Sequence, residues 1–195
     1  LTLRRRDAHR RALVMVSKFD HCLADLLYRR HLGELHVDIP VVVSNHEDCR
    51  ALVESYDVPF VHLPVTKETK GDAELALRDL VREHDVDVVV LARYMQVLSD
   101  AFCAEMPGRI VNIHHSFLPG FKGANPYRQA HTRGVKLIGA TAHFVTGDLD
   151  EGPIIEQNVV RVDHTMDVAK LVRKGQAQES QTLAEAVRLV DEHRV

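Results

Sequence analysis

The chain has 195 residues, 45% of them hydrophobic and 27% charged, with a formal charge of −3. That balance excludes a disordered or fibrous chain and gives no global pull toward nucleic acid or an anionic membrane. Apolar runs such as the one ending at Ala92 are of strand length, far too short to cross a bilayer, and Cys22, Cys49 and Cys103, odd in number and far apart, suggest neither a disulfide framework nor a paired thiolate metal site, so a reducing cytoplasm is the default.

The basic start, Arg4 to Arg6 with Arg10 and Arg11, lacks the apolar region of a signal peptide and reads as a solvated linker remnant over residues 1–11, before one domain at 12–195. Val- and Ile-rich runs then recur at 12–17, 39–45, 59–65, 86–92 and 109–115, separated by segments with apolar residues three and four apart. Strand alternating with helix predicts a Rossmann-like α/β fold, a mostly parallel sheet with helices on both faces and ligands at the strands' carboxyl ends. After Gly120 come a short helix near 127–132 and two long strands, KLIGATAHFVT and PIIEQNVVRV, joined by GDLDEG. Gly, Asp and Glu there predict a tight turn and a C-terminal antiparallel hairpin. A final helix is expected over 167–193, and no internal repeat interrupts the chain.

The first strand-to-helix turn, SKFDHCL at 17–23, has no glycine. A dinucleotide or phosphate site places glycines there so that backbone N–H groups can approach the phosphate oxygens. Nothing else matches GxGxxG or a Walker loop, which removes most support for a nicotinamide or nucleoside triphosphate.

The stretch NIHHSFLPG, 112–120, follows an apolar run. Strand alternation sends Asn112 and His114 to one face and Ile113 and His115 to the other. An amide and an imidazole leaving a strand together can hold a carbonyl oxygen that becomes an oxyanion. Such a pair needs a proton acceptor, and the acidic turn with Asp148, Asp150 and Glu151 is the natural supplier. From spacing alone a second reading stands beside the first: Asn112 caps a strand end, His114 is a satisfied core histidine and the acids solvate a turn. No metal is expected, because His114 and His115 point to opposite faces and no HExxH pattern or cysteine cluster completes a shell.

NIHHSFLPGFKGANPYRQA and GATAHFVTGDLDEGPIIEQ resemble the catalytic domain of the folate-dependent formyltransferase superfamily and, within it, the formyltetrahydrofolate deformylases. The resemblance runs from about 12 to 162. It places the family's essential Asn, His and Asp on Asn112, His114 and Asp150. It implies a pterin pocket walled by Met95, Gln96, Val97 and Leu98, with Val145, Thr146 and Gly147 opposite, and supporting roles for His143 and His115. For Met95, Val97 and Leu98 ordinary core packing is an equal alternative. Arg93 and Lys122 are further candidates to meet acidic parts of the ligand, and Cys22, near a helix start, reads as packing.

The implied activity is hydrolysis of 10-formyltetrahydrofolate to formate and tetrahydrofolate, supplying formate for one-carbon and purine metabolism, in a cytoplasmic homo-oligomer. Its partners are the folate substrate and water, with no prosthetic group. The glycine-free first turn and His115, where phosphate-binding transferase relatives tend to have proline, favour water as acceptor. Such deformylases carry an amino-terminal ACT regulatory domain, which this chain is expected to lack. The rivals are a formyltransferase to an amine, which GFKGANPY favours, and a silent folate-binding module.

Overall fold

A computed structural model describes residues 9–120 and 126–195. Strands β1 (Arg11–Val16), β2 (Asp38–Ser44), β3 (Phe60–His62), β4 (Val88–Leu91) and β5 (Ile110–His114) run parallel, and β6 (Leu137–Phe144) and β7 (Ile154–Arg161) are added antiparallel. The seven strands form one sheet in the order β3-β2-β1-β4-β5-β6-β7. Order reverses beside β1, so the carboxyl ends of β1 and β4 open a crevice between oppositely directed crossovers, the place where open α/β sheets bind ligands.

Alternation within the apolar strands divides the core. Val14, Val42, Val90, Val111 and Ile113 face helices α1 (His21–His31), α2 (Arg50–Glu54) and α6 (Val168–Asp191). Leu13, Met15, Val41, Val43 and Val89 face α3 (Lys70–Glu83) and α4 (Asp100–Glu105). Both faces are covered, which is why these strands read as near-continuous β-branched runs. Each fully buried Val or Leu contributes about 1.5–3 kcal/mol relative to exposure, so the central strands anchor the loops that leave them. Helix α5 (Pro126–Arg133) precedes β6, and Ala130 joins Ile138, Val162 and Leu171 in a smaller cluster.

Three expectations change. Arg10 and Arg11 are not solvated linker: the Arg10 N–H donates to Asp191 Oδ1 at 2.8 Å, and Arg11 opens β1 with its N–H on Asp87 Oδ2 at 3.0 Å. Residues 1–8 lie outside the described residues. Helix α4 was not anticipated; Ser99 caps it by accepting the Phe102 N–H. The β6–β7 connection is not a tight turn but a loop over 145–153. Its residue Asp150 has φ +58° and Gly152 lies so close to the Phe144 carbonyl that a Cβ would overlap it. The extra length is what allows a side chain of this loop to come back over β5.

Candidate active site

The site lies over the carboxyl ends of β4 and β5. Beyond β4, Arg93 adopts φ +65° and turns the chain outward. Ser17, at the end of β1, fixes that turn: its N–H donates to the Arg93 carbonyl at 3.3 Å and its Oγ accepts the Met95 N–H at 2.9 Å. The far end is held by Glu74, which accepts both the Ser99 N–H and the Ser99 hydroxyl. Residues 93–98 between these anchors form one wall of a cavity of about 230 Å³.

Met95, Gln96, Val97 and Leu98 all line that wall. Met95 and Val97 are 54% and 61% exposed, which decides against core packing for those two, whereas Leu98 is 8% exposed and packs into the α3/α4 core while closing the pocket floor. Val145, Thr146 and Gly147 stand on the opposite wall. Their loop is pinned at its start by the Val145 N–H on the Ile110 carbonyl at 2.8 Å.

On β5 the alternation holds. Ile113 enters the α1/α6 core, while Asn112 and His114 face the cavity. Antiparallel register sets His143 of β6 beside Asn112 and Thr141 beside His114. The loop after β6 then carries Asp150 back, so that its Oδ2 lies 3.3 Å from His114 Nδ1 and its Oδ1 3.7 Å from His143 Nε2. His115 turns partly away; its ring stacks on His114 at 5.2 Å and stands 6.4 Å from the Tyr127 ring.

Proton positions follow from these contacts. His143 Nδ1 lies 2.9 Å from the Phe144 carbonyl, an acceptor only, so the proton sits on Nδ1 and Nε2 accepts the Asn112 amide N–H at 3.2 Å. Burial lowers the His143 pKa, which keeps this neutral tautomer. Asp150 is held below the usual carboxylate range, first by its hydrogen bond from His114 and against the opposing effect of burial. With Nδ1 turned to Asp150, His114 Nε2 is buried and meets no hydrogen-bond partner among the described residues. A buried polar atom without a partner at a cavity wall is a position for a ligand atom. An oxygen placed there meets a ring nitrogen backed by a carboxylate, beside an amide already held in orientation.

Asn112, His114, Asp150, His143, His115 and both expected pocket walls therefore line one cavity. Arg93 is there too, although its guanidinium turns to Glu179, with Nε 3.3 Å from Oε2. Lys122 and most of GFKGANPY lie outside the described residues. Cys22 is buried packing whose thiol is pushed up by burial. The sequence reading missed Tyr94 and Leu149 as lining residues, and it missed Glu179 altogether. A signal existed for Glu179: counting in helical steps from Leu183, it falls on the apolar stripe of α6.

Residues 10–187 match the family model described as formyl transferase. The chain belongs to the formyl transferase family. Within it, the chain is 54% identical, over 99% of its length and 68% of the relative's, to the formyltetrahydrofolate deformylase of Corynebacterium sp. (strain P-1). It superposes on a crystal structure of the formyltetrahydrofolate deformylase from Burkholderia mallei with TM-score 0.93 and 55% identity, covering 97% of this chain and 67% of that one. A glycinamide ribonucleotide transformylase from Symbiobacterium toebii shares the fold at TM-score 0.86 but only 33% identity, over 97% of this chain and 91% of that one. The chain spans about two thirds of the length of the deformylase relatives it matches, between 62% and 68% for three of them.

Proposed function

We propose that this chain is the catalytic part of a formyltetrahydrofolate deformylase, hydrolysing 10-formyltetrahydrofolate to formate and tetrahydrofolate. The observation that carries the reading is the His114 ring, which lines the cavity beside Asn112, fixed at Nδ1 by Asp150 and left without a partner at Nε2 among the described residues. The formyl oxygen takes hydrogen bonds from Asn112 and from His114 carrying a proton at Nε2. Asp150, ionised and close to both imidazoles, takes a proton from the attacking water and balances the positive ring. The water oxygen bonds to the formyl carbon, the carbonyl π electrons move onto oxygen, and collapse of that oxyanion breaks the carbon–nitrogen bond. The departing nitrogen takes the proton that Asp150 received, which restores the carboxylate, the remaining water proton is lost to solvent as the formic acid ionises, and formate and tetrahydrofolate leave.

This chemistry asks for no prosthetic group, and the residues after β4 and β6 suit a flat pterin between apolar rims and backbone groups. Water as acceptor is supported by the first turn. Where a phosphate cradle would lie, Phe19 sits under the Arg93 guanidinium, 5.5 Å from it. No helix of the described residues is long and apolar enough to cross a membrane. A cytoplasmic homo-oligomer belongs to the same proposal.

Formate release from 10-formyltetrahydrofolate without added amine, compared between this chain and Asp150→Asn, tests it. Release is expected, with a fall of about a hundredfold or more in the variant. Release that appears only when an amine is supplied would replace the hydrolase by a transferase. Tight folate binding with no turnover, by a folded chain, would leave a binding module.

A further inference from the structure

On the opposite side of β5 from Asn112 lies a buried ionic cluster that the chemistry above leaves unused. Glu179 of α6 is 1% exposed. It accepts a hydrogen bond from His21 Nε2 at 2.8 Å and another from the Tyr127 hydroxyl, and the Arg93 guanidinium adds the 3.3 Å ion-pair contact. The three partners come from α1, α5 and the loop after β4. One carboxylate thus joins four elements where β4 and β5 end.

We propose that Glu179 is a positioning residue for the reaction at Asn112, His114 and Asp150, acting through Arg93 and through His115. The proposal rests on the hydrolase reading of the cavity. Buried ion pairs are poor stabilisers, since apolar groups of similar volume usually do as well, so what the cluster holds in place is the better guide. Arg93 is the residue whose left-handed backbone starts the pocket wall, and a non-glycine residue persists there only when its surroundings over-determine it. Ser17 fixes its backbone and Glu179 its side chain.

The second route runs through His115. Its ring stacks on His114, and the ring of Tyr127, bound to Glu179, stands 6.4 Å from it. His114 is thereby held at Nδ1 by Asp150 and on its face by the His115 ring, which has the Tyr127 ring as a further neighbour. The charged and titratable groups facing His115 are Arg93, Glu179, His114, Asp150 and Tyr127. Burial first, then Arg93, pushes its pKa down to about 4, while Glu179 acts in the other direction.

A metal is the alternative occupant, because His21, Cys22 and Glu179 offer ligand atoms within 4.8 Å of one another. The Glu179 oxygens already accept from His21 and Tyr127, and burial, followed by the Glu179 charge, keeps the Cys22 thiol protonated. The cluster is built for donors to a carboxylate.

Glu179→Gln preserves volume and deletes the charge. Expected are a cooperative thermal transition at a midpoint lowered by the Arg93 charge left unpaired, a fall in kcat per folded molecule of about ten- to a hundredfold, and an NMR titration midpoint of His115 lower than in the wild type. Removing the Arg93 charge as well, in Glu179→Gln/Arg93→Gln, should return that midpoint toward its wild-type position without restoring kcat. Should Glu179→Gln not fold, Tyr127→Phe removes a single donor and should lower kcat in the same sense. A variant that melts lower yet keeps wild-type kcat per folded molecule and an unmoved His115 midpoint would reduce the cluster to structural support and overturn the proposal. If the wild-type chain releases no formate, the hydrolase reading falls, and the His115 titration alone decides whether Glu179 is coupled to the cavity.

Discussion

Asn112 spends one amide N–H on His143 Nε2, so its plane is fixed and its remaining donor is aimed before substrate arrives. A donor oriented in advance is worth most where charge develops, about 3 kcal/mol for one oxyanion contact. Asn112→Ala should therefore lower kcat by about a hundredfold or more with little change in KM; steady-state kinetics showing near-normal turnover would remove Asn112 from that role. Much of this was legible in the sequence, because alternation along β5 separates Asn112 and His114 from Ile113 and the acidic loop is the natural supplier of a carboxylate. The partner of Asn112 was not. His143 reaches it through antiparallel register, a relation between strands far apart in the chain that local spacing does not encode.

Helix α6 places Leu171, Gly175, Glu179, Thr182 and Leu183 on one buried stripe. Replacing a helical glycine by alanine ordinarily gains up to about 1 kcal/mol. At Gly175 the added Cβ would overlap the Tyr127 hydroxyl and ring edge. That ring cannot swing aside without losing its hydrogen bond to Glu179, and overpacking costs about 1–3 kcal/mol. Gly175→Ala should thus be destabilising in urea denaturation; a stabilised variant would show that α5 moves freely on α6. Elements were legible where their period is long, as in α3 and α6. Helix α4 was missed because six residues carry too little pattern. The 145–153 loop was mistaken for a tight turn because Gly, Asp and Glu favour turns whatever the length of the connection.

At the scale of the whole molecule, the buried ring nitrogens and carboxylates near the ends of β4, β5 and β6 make stability depend on pH. His115 is brought down from 6.5 to about 4, and His143 is also lowered, both chiefly by burial. In the unfolded chain each takes up a proton near 6.5. Below that pH the unfolded state binds more protons, so the stability present above it is lost progressively as pH falls through the folded values. For His115 the full displacement corresponds to about 3 kcal/mol, before reduction for the ring's partial exposure. Asp150 and Glu179 are also lowered: hydrogen bonding from His114 leads at Asp150, while at Glu179 the donors, His21 first among them, outweigh burial. Their contribution survives until about pH 4, the unfolded carboxylate range, and is lost below it. Two stages of acid destabilisation result, the first from histidines and the second from carboxylates. Calorimetric Tm should hold between pH 8 and 7, decline from about 6.5 downward and steepen below about 4. In His115→Gln the first stage should shrink. A Tm constant between pH 7 and 5 in the wild type would mean that these rings take up protons without opening the fold, and the neutral His143 that accepts from Asn112 would then have no claim to be enforced by burial.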